Sequence, residues 1–221
     1  MFRLIGNILD EAQVAELASI AAQASFVEGR ISNPHSRVKN NLQLHEAVPA
    51  QRAAKILAGG LLANAEFHAW AFPKSIAPPI LTRYESGMSY GLHPDSAMMF
   101  LPSGPIRSDL SCTIFLSDPS TYQGGALRIA MGTADLRFRG PAGSAIVYPS
   151  TSLHEVEPVT RGVRLVGLTF IQSRIADPAR RELLYELNEV AALEGNVMEP
   201  ENFTRLQAVQ CNLMRMWMDG P

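Results

Sequence analysis

Hydrophobic positions near the N-terminus recur with a helical period. Asp10 precedes the first such stretch and Gln13 follows three residues later, which is a variant of the capping box. The apolar residues after this cap share one helical face: Val14, Leu17, Ala18 and Ala21. The pattern predicts a helix that begins after Asp10. A second, alanine-rich helix is predicted around Ala50 to Trp70, with a break or kink at Gly59-Gly60.

The middle of the chain is dominated by short apolar runs. Phe26–Ile31 is predicted to be a short strand, and Ser32–Asn41 an exposed polar loop. From Ile80 onward, glycine and proline separate a series of runs typical of strands. These are Ile80–Tyr84, Leu110–Leu116, Ala126–Ala130, Leu136–Phe138, Ser144–Tyr148 and Val163–Gln172. Many short strands without helix-strand alternation predict a β-sandwich or barrel and disfavour a doubly wound fold.

Helical patterns return near the C-terminus. Asp177 followed by Pro178 predicts an N-cap and a proline in the first helical turn. Further along the chain, apolar residues again recur with a helical period: Phe203, Leu206, Val209, Leu213, Met216 and Trp217. We expect this stripe to pack on the protein's own core, with a homodimer contact as the alternative.

Together these patterns predict one mainly β domain with flanking helices, of the α+β class, over residues 1–221. Its parts would be a helical N-terminal support (1–75), a β core (76–175) and C-terminal helices (176–221).

Composition adds mostly exclusions. The 221 residues are 47% hydrophobic and 18% charged, and the formal net charge is −2 with a pI near 6.2. This balance gives no reason to expect nucleic acid or an anionic membrane as a partner. The two cysteines form no C-x-x-C pair, and Cys112 lies in an apolar strand where it is expected to be a core residue. Without a signal-peptide or membrane-span pattern, we expect a cytoplasmic protein.

The candidate chemistry centres on His93-Pro94-Asp95. Residues two apart on an extended segment project from the same face, so this imidazole and carboxylate could occupy neighbouring positions on one metal ion. His154, at the edge of a later strand, would complete two nitrogens and one oxygen. That set is the facial triad of non-haem Fe(II) oxygenases, although three ligands and a water would also suit zinc. On spacing alone, a surface or core histidine and a turn-capping aspartate are the favoured explanation of the pair.

Arg164 is the second unusual residue, because it stands at the start of an apolar strand. A buried arginine is costly without an anionic partner, and its planar fork suits a carboxylate. Two alternatives stay open at this point. The side chain could extend to the surface, or it could pair with Glu155 or Glu157. Arg161, nearer the preceding turn, is expected to be exposed.

Motifs along most of the chain resemble, in order, the bacterial PKHD-type (prolyl/lysyl hydroxylase domain) hydroxylases. The resemblance runs from about Phe26 to about Leu187. The segments that carry it, by residue number, are 29–30, 38–43, 83–84, 90–95, 107–111, 113–119, 122–125, 148–154, 159–164 and 171–173.

The resemblance implies a double-stranded β-helix (jelly-roll, cupin-like) core and a set of site residues. By it, His93, Asp95 and His154 are the iron ligands and Arg164 binds the distal carboxylate of 2-oxoglutarate. Tyr84 is expected to help hold that co-substrate or the substrate. Thr113 joins these candidates because Ser111, Thr113 and Phe115 share the strand face that would look into the barrel, although a β-branched residue there needs no ligand to explain it.

The sequence departs from the family pattern at three places. Pro94 is unusual between the two ligands, and it implies that the strand is already turning or at an edge. Ala126 stands where a glutamate is common, and Ser96 also deviates. The following Met98–Leu101 run is apolar enough to predict either a lid over a small hydrophobic substrate or a core insertion.

The function implied is that of an Fe(II)- and 2-oxoglutarate-dependent dioxygenase. It would hydroxylate an unactivated C–H bond of a small molecule, amino acid or peptide, and convert 2-oxoglutarate to succinate and CO₂. O₂ is the expected oxidant and ascorbate a candidate stimulant. The alternatives are a non-catalytic jelly-roll binding module and, further off, a zinc-dependent hydrolase. The sequence does not identify the substrate.

Overall fold

The computed structural model describes residues 2–218. The helices in this part of the chain are α1 (Glu11–Gln23), α2 (Ala47–Ala63), α3 (Ala65–Ala71), α4 (Pro178–Glu194) and α5 (Pro200–Trp217), with short 3₁₀ turns at Gly29–Ser32 and Gly195–Val197. The first eight strands are β1 (Arg3–Ile5), β2 (Phe26–Glu28), β3 (Lys39–Asn40), β4 (Leu42–Leu44), β5 (Pro73–Ile76), β6 (Ile80–Tyr84), β7 (Ser89–His93) and β8 (Met98–Leu101). The remaining strands are β9 (Gly104–Arg107), β10 (Leu110–Phe115), β11 (Gln123–Gly124), β12 (Leu127–Met131), β13 (Ala134–Phe138), β14 (Ala145–Pro149), β15 (His154–Val156), β16 (Val159–Arg161) and β17 (Arg164–Ser173).

Two antiparallel sheets form the β core. The larger sheet has the strand order β1-β14-β10-β17-β6-β4-β2, with β5 paired to β17. The smaller has the order β13-β12-β15-β7-β3. Two further ribbons, β8-β9 and β11-β16, extend from this core. The predicted jelly-roll with flanking helices is confirmed.

The helices, the larger sheet and the smaller sheet form three layers, and strand β10 contributes to the apolar cores on both sides of the larger sheet. Its even-numbered residues, such as Cys112 and Ile114, belong to the apolar cluster that the larger sheet forms with the helices. Phe115, on the other face, belongs to a cluster that also contains Ile129 of the smaller sheet. The period-two alternation of a strand therefore separates a helix-facing core from an inter-sheet core. Cys112 is a buried core residue, as predicted.

The helix caps agree with the predictions. The Asp10 carboxylate accepts from the Gln13 backbone N–H at 2.8 Å, and the Gln13 side chain accepts from the Asp10 N–H at 3.0 Å. Asp177 accepts from the backbone N–H groups of Ala179 and Arg180 ahead of α4. Local side-chain chemistry was sufficient to locate both helix starts.

The predicted break at Gly59-Gly60 is wrong. Helix α2 starts earlier than predicted, at Ala47, and continues through both glycines, and the chain breaks at Asn64, whose side chain caps α3 by accepting from Phe67. Gly60 is needed for packing instead, because a Cβ there would lie 2.4 Å from the carbonyl oxygen of Ile8. A glycine that permits close backbone approach has the same sequence signature as a helix breaker.

The segment before α2 also differs from the prediction. The strand at Phe26 ends at Glu28 and a 3₁₀ turn follows it. The predicted exposed loop 32–41 contains β3, and within it Lys39 and Asn41 are buried. Lys39 lines a cavity, and Asn41 is bonded to the buried Tyr84 hydroxyl. The first 75 residues thus supply strands as well as helices, while the division into 1–75, 76–175 and 176–221 stays a prediction.

The C-terminal stripe is partly confirmed. Leu213 and Trp217 of α5 pack against the helix-facing core, as expected. Val209 and Met216 are exposed. A dimer contact through this stripe stays a prediction. None of the helices within residues 2–218 is both long and apolar enough to cross a membrane.

Candidate active site

Strand pairing in the smaller sheet brings the two predicted histidines together. His154 is the first residue of β15 and lies opposite His93, the last residue of β7, with their ring centroids 4.4 Å apart. Asp95 follows two residues later, and its carboxylate oxygens lie 4.0 Å from His93 Nε2 and 3.6 Å from His154 Nε2. One ligand atom from each side chain falls within 4.8 Å of the others. Because β7 ends before Pro94, this proline removes no ladder hydrogen bond.

Both imidazoles are oriented by the backbone. His93 Nδ1 is 2.7 Å from the Gly91 carbonyl oxygen, and His154 Nδ1 is 3.0 Å from that of Ser152. A carbonyl only accepts, so each Nδ1 carries a proton, and Nε2 is the ring nitrogen of each histidine that faces Asp95. Burial, followed by the neighbouring His154, lowers the pKa of His93 to about 4, so this imidazole is neutral near pH 7.

A chain of hydroxyl groups fixes the Asp95 carboxylate. Ser111 donates to Asp95 Oδ2 at 2.5 Å, and its oxygen lies 2.8 Å from that of Ser150. The Ser150 hydroxyl is in turn 2.9 Å from Ser108. Ser111 belongs to β10 of the larger sheet. The Asp95 carboxylate is therefore hydrogen-bonded across the barrel to a strand that contributes no predicted iron ligand.

This donor set fits a first-row transition metal. Two imidazole nitrogens and one carboxylate oxygen on a single side form the 2-His-1-carboxylate triad, which leaves positions open for a chelating co-substrate and O₂. The Nδ1–H of each histidine donates to a backbone carbonyl, and the Asp95 carboxylate accepts from Ser111. Such contacts, which orient the ligands, are expected around a metal centre.

Arg164 is almost fully buried at the start of β17. Its exposure is 1%, and the Tyr122 hydroxyl lies close enough to accept from it, but no carboxylate among residues 2–218 pairs with its guanidinium. Burial lowers the pKa of Arg164, and the nearby phenols of Tyr84, Tyr122 and Tyr148 partly oppose that shift. A buried guanidinium without a carboxylate partner is the feature expected of a site built to receive an anion.

The simpler explanations for Arg164 are wrong. Glu155 pairs with Arg128 at 2.6 Å, and Glu157 pairs with Arg137 at 2.7 Å. Neither acid is therefore its counter-ion, and the side chain does not reach the surface. Arg161 is exposed, as predicted.

A cavity of about 130 Å³ connects the metal-binding group to the inter-sheet core. Tyr84 and Thr113 both line it, as do His93, Asp95 and His154. Arg164 is not a lining residue but lies directly behind Tyr84, with its guanidinium carbon 5.0 Å from the ring centroid. The structure thus brings all six predicted site residues into one region, with Arg164 one side chain removed from the cavity.

Two contacts hold the candidate co-substrate residues. Asn41 donates to the Tyr84 hydroxyl at 2.8 Å, and the Thr113 side chain hydrogen-bonds that of Tyr148. Burial, with the charge of Asp95, raises the pKa of Tyr148 well above its usual value, so this phenol keeps its proton. Asn41 and Tyr148 lie in motifs that resemble the family, but nothing in the sequence assigned either of them a role.

Lys39 is the site residue that sequence reasoning most clearly missed. It lines the cavity from β3, opposite Tyr90 in the strand register. Tyr90 in turn stacks on His93 with a centroid separation of 3.6 Å and an interplanar angle of 14°. Burial lowers the pKa of Lys39 to about 8, opposed by the charge of Asp95. Its position in a predicted loop concealed it.

The departures from the family pattern lie around the same cavity. Met98–Leu101 forms β8 of a hairpin in which Met99 lines the cavity and Phe100 is 85% exposed. The run is therefore not a core insertion. Ser96 is a lining residue, whereas Ala126 is buried next to β12.

Comparison with known proteins agrees with this geometry. Residues 79–172 match the model of the 2OG-Fe(II) oxygenase superfamily. A PKHD-type hydroxylase of Sphingopyxis alaskensis is 61% identical over 217 residues, which cover 98% of this chain and 99% of the relative.

Solved structures share the fold at low sequence identity. A prolyl-4-hydroxylase of Pseudomonas putida superposes with a TM-score of 0.53 at 18% identity, over 78% of this chain and 92% of the other. A prolyl hydroxylase of Trichoplax adhaerens, in complex with a hypoxia inducible factor peptide fragment, gives a TM-score of 0.59 at 14% identity, over 78% and 83%.

Because the 61% identity extends over nearly the whole chain, it establishes the family. The family in turn establishes the enzyme class and the use of Fe(II) and 2-oxoglutarate. The chain belongs to the PKHD-type hydroxylases, a family of 2-oxoglutarate- and Fe(II)-dependent oxygenases.

Proposed function

We propose that His93, Asp95 and His154 hold Fe(II) in this hydroxylase, and that Arg164 receives the distal carboxylate of 2-oxoglutarate. The observation that carries the proposal is the buried Arg164 guanidinium, which has no carboxylate partner among the described residues, close to a group of two imidazoles and a carboxylate. Tyr84 lines the path between the two and would share the carboxylate or move aside for the Arg164 fork. Thr113 and Tyr148 would complete this end of the cavity with hydroxyl groups.

When bound, Fe(II) and 2-oxoglutarate would supply the O₂ chemistry that forms succinate and CO₂ and converts a C–H bond of the substrate to C–OH. The protein's part is to bind and orient. His93 and His154 would bind the metal through Nε2, because their Nδ1 protons are donated to carbonyl groups. Asp95 adds one negative charge, and Ser111 holds one of its oxygens. Arg164 would balance the second carboxylate, so the dianionic co-substrate meets a buried positive charge.

The substrate class proposed is a small molecule, amino acid or peptide. The Trichoplax adhaerens neighbour holds a peptide, which supports keeping peptides in this class. The exposed Phe100 at the hairpin beside the cavity supports an apolar contact to the substrate. We further propose a cytoplasmic enzyme, a location suited to the unpaired Cys112 and Cys211. A homodimer through exposed Met216 is the oligomeric hypothesis.

A succinate assay tests the proposed roles. The protein is incubated with Fe(II), 2-oxoglutarate and candidate substrates under air, and succinate is measured for wild type, His93→Ala and Arg164→Ala. Arg161→Ala, three residues before Arg164 and exposed, is the matched control. We expect succinate from wild type and the control, and a loss of at least about 100-fold in both site variants, a factor corresponding to about 3 kcal/mol. Equal succinate formation in all four proteins would overturn the assignment.

A further inference from the structure

Besides Arg164, which lies behind Tyr84, the site has a second buried cation, Lys39. This lysine itself lines the cavity, and neither iron nor 2-oxoglutarate requires it. Lys39 is 7% exposed and reaches the cavity from the smaller sheet, whereas Arg164 belongs to the larger one. Its ammonium lies 5.4 Å from the ring centroid of Tyr90, the residue stacked on His93. The charge is therefore held one ring away from a proposed iron ligand.

The Lys39 ammonium has unused donors. It donates to the Ser32 hydroxyl at 2.7 Å, and Ser32 donates onward to the carbonyl oxygen of Gly29 at 3.2 Å. An ammonium has three N–H groups, and in the described part of the chain Ser32 and the face of Tyr90 are its only recorded partners. The carboxylate whose charge acts on it is Asp95, which is assigned to the metal.

A purely structural role explains this lysine poorly. One hydrogen bond to a neutral hydroxyl returns less than the cost of removing an ammonium from water. A neutral side chain could support the same 3₁₀ turn without that cost. The arrangement resembles that of Arg164, with a buried cation beside a cavity and no anion of its own.

Position separates the two cations. The carboxylate end of 2-oxoglutarate remote from the metal is assigned to Arg164, which lies behind Tyr84. Lys39 instead bonds Ser32, and both Ser32 and its neighbour Asn33 line the cavity while exposed to solvent. It therefore stands where the cavity opens, on the side from which a substrate would enter.

We propose that Lys39 and Ser32 form a subsite for a carboxylate of the primary substrate. The inference rests on the proposed function, because it assumes that 2-oxoglutarate occupies Arg164. This subsite restricts the substrate to molecules that carry a carboxylate near the C–H bond that is hydroxylated. Examples are a free amino acid, the C-terminal residue of a peptide, and a peptide residue with an acidic side chain. The Lys39 ammonium would fix the carboxylate, and the distance from it to the metal would select the carbon.

Lysine NMR tests this subsite without knowledge of the substrate. The sequence has only three lysines, Lys39, Lys55 and Lys74, so protein labelled with ¹³C at the lysine ε-carbon gives three signals. Lys39→Arg assigns one of them, and exposed Lys55 on α2 is the internal control. The sample is loaded with Zn(II), a diamagnetic substitute for Fe(II), and with 2-oxoglutarate, whose binding is first measured by calorimetry. Propionate and its neutral counterpart propionamide are the probes.

We expect propionate to shift the Lys39 signal saturably, with a Kd in the millimolar range, and propionamide to bind at least about 10-fold more weakly. The Lys55 signal should not move. An unchanged Lys39 signal, or equal shifts with both probes, would overturn the subsite. A shift caused by 2-oxoglutarate alone, with none from propionate, would assign Lys39 to the co-substrate and overturn the subsite as well. Failure of 2-oxoglutarate to bind would overturn the proposed function itself, which distinguishes the two failures.

Discussion

Replacing Arg164 by methionine should have opposite effects on folding and on co-substrate binding. The wild-type protein buries the Arg164 guanidinium with no carboxylate partner among the described residues, and a buried polar group left unpaired costs about 1–3 kcal/mol, more when it is charged. The Tyr84 ring, 5.0 Å away, returns up to about 2 kcal/mol through its cation–π interaction. An apolar side chain in place of an unpaired buried charge should therefore raise the free energy of unfolding of the metal-free protein by about 1–3 kcal/mol.

The same change removes the proposed partner of the 2-oxoglutarate carboxylate. Breaking a buried charge pair costs about 3–5 kcal/mol, so the Kd of 2-oxoglutarate should rise about 100- to 4000-fold. Urea denaturation of metal-free protein measures the first effect, and anaerobic calorimetry with Mn(II) measures the second. Arg161→Met, an exposed control, should change stability by less than about 0.5 kcal/mol. A variant that is clearly destabilised and still binds 2-oxoglutarate normally would refute the assignment of Arg164.

Three further predictions concern the contacts around the metal-binding group. Ser111→Ala should weaken metal binding about 10- to 100-fold by releasing the Asp95 carboxylate, measured by calorimetry. Asn41→Leu should raise the Kd of 2-oxoglutarate about 2- to 10-fold by freeing the Tyr84 hydroxyl, since a net hydrogen bond is worth about 0.5–1.5 kcal/mol. Because the pKa of His93 falls from 6.5 to about 4 on folding, its stabilising contribution is complete above pH 6.5 and is lost as the pH falls toward 4. The Tm of metal-free His93→Asn should therefore fall less than that of the wild type as the pH is lowered from 6.5 toward 4.

Each of these has a contrary result. Unchanged metal affinity in Ser111→Ala would show that the serine does not orient the ligand. A normal 2-oxoglutarate Kd in Asn41→Leu would separate Tyr84 from co-substrate binding. Parallel Tm curves for wild type and His93→Asn would mean that His93 titrates alike in the folded and unfolded chains.

The ligand residues were predictable because they lie in short motifs. His93 and Asp95 lie two residues apart, and Arg164 is a charge at the start of an apolar run. Both patterns can be read within one short segment. The resemblance to a family then linked them to His154, which spacing alone could only suggest.

Other features depend on contacts distant in sequence. Gly60 looks like a helix breaker until the Ile8 carbonyl is known to lie against it. Lys39 looks like a loop lysine until β3 pairs with β7 and carries it into the cavity. The Ser111 hydroxyl gains its meaning only when β10 faces Asp95 across the barrel. In each case the partner is set by sheet register, which residue patterns within one segment do not encode.

An anaerobic titration with Fe(II) and 2-oxoglutarate tests the central claim most directly. A chelate of 2-oxoglutarate on Fe(II) absorbs visible light, so its formation can be followed without any substrate. The account predicts saturation at one Fe(II) per chain in the wild type, and loss of the absorption in Asp95→Ala and His154→Ala. The same absorption at the same stoichiometry in either variant would contradict the placement of the iron between His93, Asp95 and His154.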